Sequence, residues 1–188
     1  MNTLAKRDFR FDNAKFFLIF LVVLGHMADA YCSYYSGMRC VFLYIYTFHM
    51  PAFLFISGLF SKHTVNKSYL DWKRLLPYPI LGVLLNFFRN FSLYLFDHEK
   101  TFHIMKQDSV SWFLWVLFVF YILTYLLKSF PKKNVLILSL VFALLAGYDT
   151  QIGTQFALSR ILVFYPFFYL GYAFKRKNLN RILDNKAL

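Results

Sequence analysis

The chain is 188 residues long, 59% hydrophobic and 22% aromatic, with 16% charged residues and a formal net charge of +12. A soluble domain carries about 25% charged residues. One small core cannot hide this much apolar surface, so lipid must cover part of it. The positive balance does not point to nucleic acid, because the lysines and arginines fall in short stretches between long apolar runs, the pattern of loops between spanning helices.

The first predicted span is Ala14–Ala30, behind a basic segment with Lys6, Arg7 and Arg10 and with Lys15 at its boundary. The basic start, the apolar run Phe16–Gly25 and Ala28-Asp29-Ala30 also read as a secretory signal with a cleavage site. The second span is Val41–Phe60. Cys32 and Cys40 lie beside the turn between these spans, where a disulfide is permitted and free thiols fit equally. Their spacing is no metal signature, and no metal is expected. Lys62, Lys67, Lys73 and Arg74 lead to the third span, Leu75–Phe96, which contains Arg89. The following loop, Asp97–Ser109, carries His98, Glu99, His103 and Asp108 and reads as a solvated connector or as a cover over an outward-facing site. Val110–Lys128 is the fourth span, with Trp112 near its outer boundary. Asn134–Tyr148 and Ile161–Phe174 complete the set, with Arg160 at the outer start of the last. The fifth is short for a hydrocarbon layer of roughly 30 Å.

Most of the 21 basic residues fall on the side that holds both ends. Positive loops stay inside, so both termini are expected in the cytoplasm. The expected fold is all-α, a polytopic transmembrane helix bundle of six spans in one domain over residues 1–188. It is a multi-pass cell-membrane protein with the lipid bilayer as its surroundings and no nucleic-acid partner.

Ionisable groups inside lipid are costly and mark functional positions. Lys15 and His26 are eleven residues apart on the first span, so they point within about 20° of each other and lie about 16 Å apart along the axis. Asp12 falls on the same stripe, about 40° from His26. His26 is then close to the bilayer midplane, and His49, counted from Val41, reaches similar depth on the adjacent helix. Arg89 lies about 21 Å along the third span. Together the three suggest a wet cavity, with neutral His26 suited to general-base work. Taken singly, His49 reads equally as an interhelical hydrogen-bonding residue, and Arg89 as a cation that snorkels outward or pairs with Asp97. Intramembrane histidines also suit a proton-coupled carrier, a transporter reading that stays open on these residues alone.

Phe11-Asp12-Asn13-Ala14-Lys15, with the apolar run to Leu24-Gly25-His26, resembles the first helix of the membrane-bound acyltransferase-3 family, and most closely its fucose 4-O-acetylase-like branch. Phe48-His49-Met50-Pro51-Ala52-Phe53-Leu54-Phe55-Ile56-Ser57-Gly58 resembles that family's second helix. Lys73-Arg74-Leu75-Leu76-Pro77-Tyr78, Ser111-Trp112-Phe113-Leu114 and Phe164-Tyr165-Pro166-Phe167-Phe168-Tyr169-Leu170-Gly171-Tyr172 follow in the family's order. The broad family usually has arginine where this chain has Lys15, and lysine offers a point charge rather than a forked contact. The first motif runs through the segment a signal peptidase would remove, which favours a retained first helix. Members usually have about ten membrane helices, so a chain of six looks like the N-terminal part of a longer protein. The missing C-terminal helices, or a partner subunit, are then expected partners, and a further reading is an inactive fragment of a longer acyltransferase.

The resemblance implies an acyltransferase that moves an acyl group, most simply acetyl, from cytoplasmic acetyl-CoA to a hydroxyl of a cell-surface polysaccharide or its precursor. His26 is the expected general base or transient acyl carrier, with His49 and Arg89 orienting it or stabilising the oxyanion. Lys15, Lys62, Lys73 and Arg74 are the expected acetyl-CoA contacts. Asp12, Trp112 and Arg160 are the expected contacts to the sugar or glycan acceptor.

Overall fold

The computed structural model describes residues 9–96, 111–148 and 157–175, and every regular element among them is helical. In chain order these are α1 (Phe9–Tyr31), α2 (Ser36–Val65), α3 (Trp72–Leu75), α4 (Pro77–Phe96), α5 (Trp112–Leu127), α6 (Lys132–Tyr148) and α7 (Leu158–Ala173). Six long helices therefore stand where six spans were expected. The start of the third span differs, because a single turn, α3, precedes α4. Pro77 and Pro79 supply no backbone N–H, so the hydrogen-bond ladder is interrupted there. The basic stretches at residues 6–7 and 176–186 and the loop Asp97–Ser109 lie outside the described residues.

α1 and α2, of 23 and 30 residues, are each long and apolar enough to cross a bilayer. Their outward faces carry large exposed side chains, among them Phe16, Phe17, Phe20 and Val23 on α1. The same holds for Leu84, Phe88 and Phe91 on α4 and for Val141, Leu144 and Leu145 on α6. Apolar surface this continuous is not tolerated in water and is what a lipid-facing helix presents.

Two contacts set the architecture. α1 and α2 run antiparallel across the short turn at Cys32–Tyr35, packing Leu18 and Leu21 against Ile45. α1 continues through Ala28-Asp29-Ala30, with Ala28 buried. Both cysteines are free thiols, and Cys32 Sγ donates to the Ala28 carbonyl at 3.2 Å. α2 and α7 instead run in the same direction and touch backbone to backbone. A Cβ added at Gly58 would lie 2.9 Å from the Phe168 carbonyl carbon, and one at Gly171 would lie 2.9 Å from the Phe55 carbonyl carbon. Only glycine permits this approach, the use that membrane bundles make of small residues.

The main core fills the space between α2, α5 and α7, with Leu54, Val116, Phe120, Phe168 and Tyr169 fully buried. α4 packs on α5 at the edge of the bundle, where Gly82 faces the Ser111 carbonyl. Gly82 thus lies level with the residue just before α5, and the rest of α4 extends past the start of its neighbour.

Candidate active site

A cavity of about 220 Å³ opens where α1, α2 and the first turn of α5 meet. This exceeds the ~150 Å³ that suffices for benzene in an apolar cavity. His26 comes from α1; Tyr46, His49, Met50 and Phe53 come from α2; Trp112 and Phe113 come from α5. Its walls are thus aromatic and aliphatic, and its polar groups are two imidazoles, one phenol and the indole N–H. A few placed polar groups in an apolar wall are the usual composition of a small-molecule site.

The two histidines are in different states of confinement. His49 is 2% exposed, and its Nδ1 lies 2.7 Å from the Ile45 carbonyl one turn earlier. A carbonyl only accepts, so Nδ1 donates the proton and Nε2 remains the acceptor. The residue between the imidazoles is Tyr46. Its ring centroid is 4.8 Å from that of His49 and 6.4 Å from that of His26, with edge-to-face geometry in both cases. His26 itself is exposed at the cavity wall.

One rim of the cavity is aromatic and cationic. Trp112 stacks on Phe164 at 5.9 Å, while the Arg160 guanidinium sits 4.8 Å from the Trp112 ring. Such a cation over indole is held by the ring quadrupole. Phe113 packs edge-to-face against Phe53 at 5.2 Å, and both rings line the cavity. Trp112 was expected near the outer boundary of its span. It is the first residue of α5 and stands beside the histidines, because α5 begins level with Phe53 of α2.

Of the expected site residues, His26, His49, Trp112 and Arg160 therefore gather around one cavity. Arg89 does not line it. It is exposed on the part of α4 that extends past the start of α5. Lys15 and Asp12 lie toward the other end of α1, with Lys15 Nζ 4.2 Å from the Phe60 ring.

The remaining expected contacts belong to a basic end of the bundle. Lys62 donates to the Phe174 carbonyl at the end of α7, so its charge sits at a helix C-terminus. Arg74 donates to His63 Nδ1 at 3.2 Å and to Thr64 Oγ1 at 3.4 Å, while Lys73 is exposed beside it on α3. The connection between α2 and α3 is tied down by Lys128, which donates to the Lys67 carbonyl at 2.8 Å, and by Tyr125, which donates to the Ser68 carbonyl at 2.8 Å. Lys67 and Asp71 pair at 2.9 Å, and this hydrogen bond holds the Asp71 carboxyl below its ordinary pKa. No group of His, Cys, Asp and Glu that could hold a metal occurs among the described residues.

Sequence reading missed Tyr46. Its signal was available in the spacing, since Tyr46 and His49 are three apart on one helix and must share a face.

A family profile described as an acyltransferase domain matches residues 8–187. The chain is similar to two curated proteins named nodulation protein NolL. It is 27% identical to the one from Sinorhizobium fredii, covering 97% of this chain and 53% of that protein. It is 29% identical to the one from Mesorhizobium japonicum, covering 89% of this chain and 48% of that protein. The chain thus spans about half the length of the curated relatives it matches. No solved structure matches it.

Proposed function

The chain belongs to the acyltransferase family, and on that premise we propose that it carries the histidine centre of a membrane O-acyltransferase. The donor is acetyl-CoA on the cytoplasmic side, and the acceptor is a hydroxyl of a cell-surface polysaccharide or its precursor. The observation that carries this reading is the meeting of His26 and His49 in one aromatic-walled cavity.

The chemistry follows from those groups. A neutral imidazole, His26 at the open wall, takes the proton of the acceptor hydroxyl as its oxygen attacks the thioester carbonyl. The C–O bond forms, the C–S bond breaks, and the proton is passed to the departing CoA thiolate. His49 keeps Nδ1 on the Ile45 carbonyl and presents Nε2, so it steadies the base side rather than donating to an oxyanion. Trp112 supplies a flat apolar face against which a sugar ring stacks, and Arg160 behind it fixes the indole and adds positive charge at the rim. At the basic end, Lys73 and Arg74 are exposed and suit the phosphates of the donor. The multi-pass arrangement, with both ends inside, brings donor and acceptor to opposite faces of the same bundle.

The test is label transfer. Membranes from cells that make the protein are given acetyl-labelled CoA, and the glycan fraction is counted for wild type and His26→Ala. Label in glycan with wild type and its loss with His26→Ala is the expected result. Equal labelling in both removes His26 from the chemistry, and no labelling by wild type removes the acyltransferase reading.

A further inference from the structure

The spacing of the two imidazoles rests on a fitted pair that neither histidine supplies. Gly25 immediately precedes His26 on α1 and is buried against α2. A Cβ built on it would lie 3.0 Å from Tyr46 Cε2, tighter than nine in ten real Cβ contacts, and 3.4 Å from Ile45 Cγ2, an ordinary contact. The Tyr46 ring thus occupies the notch that the missing side chain leaves. On its other side the ring packs against Phe42 at 4.1 Å between centroids. Its edges meet both imidazoles, 4.8 Å from His49 and 6.4 Å from His26. An aromatic ring has two rotatable side-chain bonds and no internal freedom, so a seated ring fixes whatever packs on its edges.

We propose that Tyr46, seated in the notch at Gly25, is a positioning residue that sets the relative placement of His26 and His49. The ring does this by filling the space between α1 and α2, and the hydroxyl is not required. The inference rests on the acyl-transfer reading only for its kinetic readout, since the geometry is independent of the reaction. A misplacement on the order of 1 Å at reacting groups costs about 10²-fold in rate, so a spacer here has a kinetic consequence.

Four variants of the full chain in lipid nanodiscs test it: Tyr46→Phe, Tyr46→Leu, Gly25→Ala and the double variant Gly25→Ala/Tyr46→Leu. Tyr46→Leu keeps apolar bulk while removing the ring, which guards against simple collapse of the fold. Tyr46→Phe should keep kcat within about threefold of wild type, and Tyr46→Leu should lower kcat by roughly 10- to 100-fold with KM little changed. Gly25→Ala should cost a similar factor alone and almost nothing more in the Tyr46→Leu background, because both act through one contact. The His26-to-His49 ring separation, read from NMR dipolar couplings between labelled imidazoles, gives a second readout that needs no turnover. It should change with Tyr46→Leu and stay with Tyr46→Phe.

If wild type transfers no acetyl group, the function reading fails and the ring separation alone decides the positioning claim. Wild-type kcat or an unchanged ring separation in Tyr46→Leu would overturn it. So would a Tyr46→Phe variant as impaired as Tyr46→Leu, which would make the hydroxyl the working group.

Discussion

The Ile45 carbonyl decides the tautomer of His49, and this one hydrogen bond of 2.7 Å converts a buried imidazole from an ambiguous polar group into a directed acceptor. Counting residues along the helices was enough to bring His26 and His49 to one depth, because rise per residue is fixed. It could not place Arg89, whose surroundings depend on where α5 begins relative to α4. Nor could it value Tyr46, whose place depends on the absent side chain of Gly25 on another helix. The opposite case is Tyr169, fully buried with no hydrogen-bond partner for its hydroxyl among the described residues. A buried, unpartnered hydroxyl costs about 1–3 kcal/mol, whereas its removal without change of shape is close to neutral. Tyr169→Phe is therefore expected to match or exceed wild-type thermal stability in detergent, and a marked drop would mean that the hydroxyl has a partner.

Helix positions were legible because apolar runs and basic breaks are one-dimensional signals. The six expected spans each coincide with a long helix, and only the turn α3 was not anticipated. Which helices touch was less legible. α1 packs on α2, its neighbour in the chain, but the α2–α7 contact joins segments far apart in the chain, which no local pattern marks. Its basis, Gly58 and Gly171 each facing the other helix's backbone, is reciprocal. Alanine at either position forces a methyl group against a carbonyl that cannot move without shifting the helix. Gly58→Ala and Gly171→Ala are each expected to destabilise the bundle by about 1–3 kcal/mol. The two together should cost less than the sum of the singles, because the first separates the helices for the second. Unfolding in detergent monitored by tryptophan fluorescence checks this, and wild-type stability in either single variant would contradict the close contact.

At the scale of the molecule, the aromatic cavity and the basic end lie at different levels of one bundle. Phe53 and Phe113 meet at the cavity, whereas Lys67 and Lys128 meet beyond the far ends of α2 and α5. An acyl donor with phosphates and an acceptor with hydroxyls can therefore be met by separate surfaces. Sidedness is testable with the chain's own thiols, since it has two cysteines and Cys40, beside the turn between α1 and α2, is exposed. A membrane-impermeant maleimide should label Cys40 on intact cells, and Cys40→Ser should remove most of that labelling. Labelling only after permeabilisation would invert the topology.

The central claim is that His26 and His49 act as one unit, and a double-mutant cycle on acyl transfer tests it most directly. His26→Ala is expected to lower kcat by about 10²- to 10⁴-fold, as for removal of a general base. His49→Ala should lower it by a smaller factor, and the double variant should be no slower than His26→Ala alone, because residues that serve one step are not additive. Independent, multiplying losses, or a His49→Ala variant with wild-type kcat, would contradict the account.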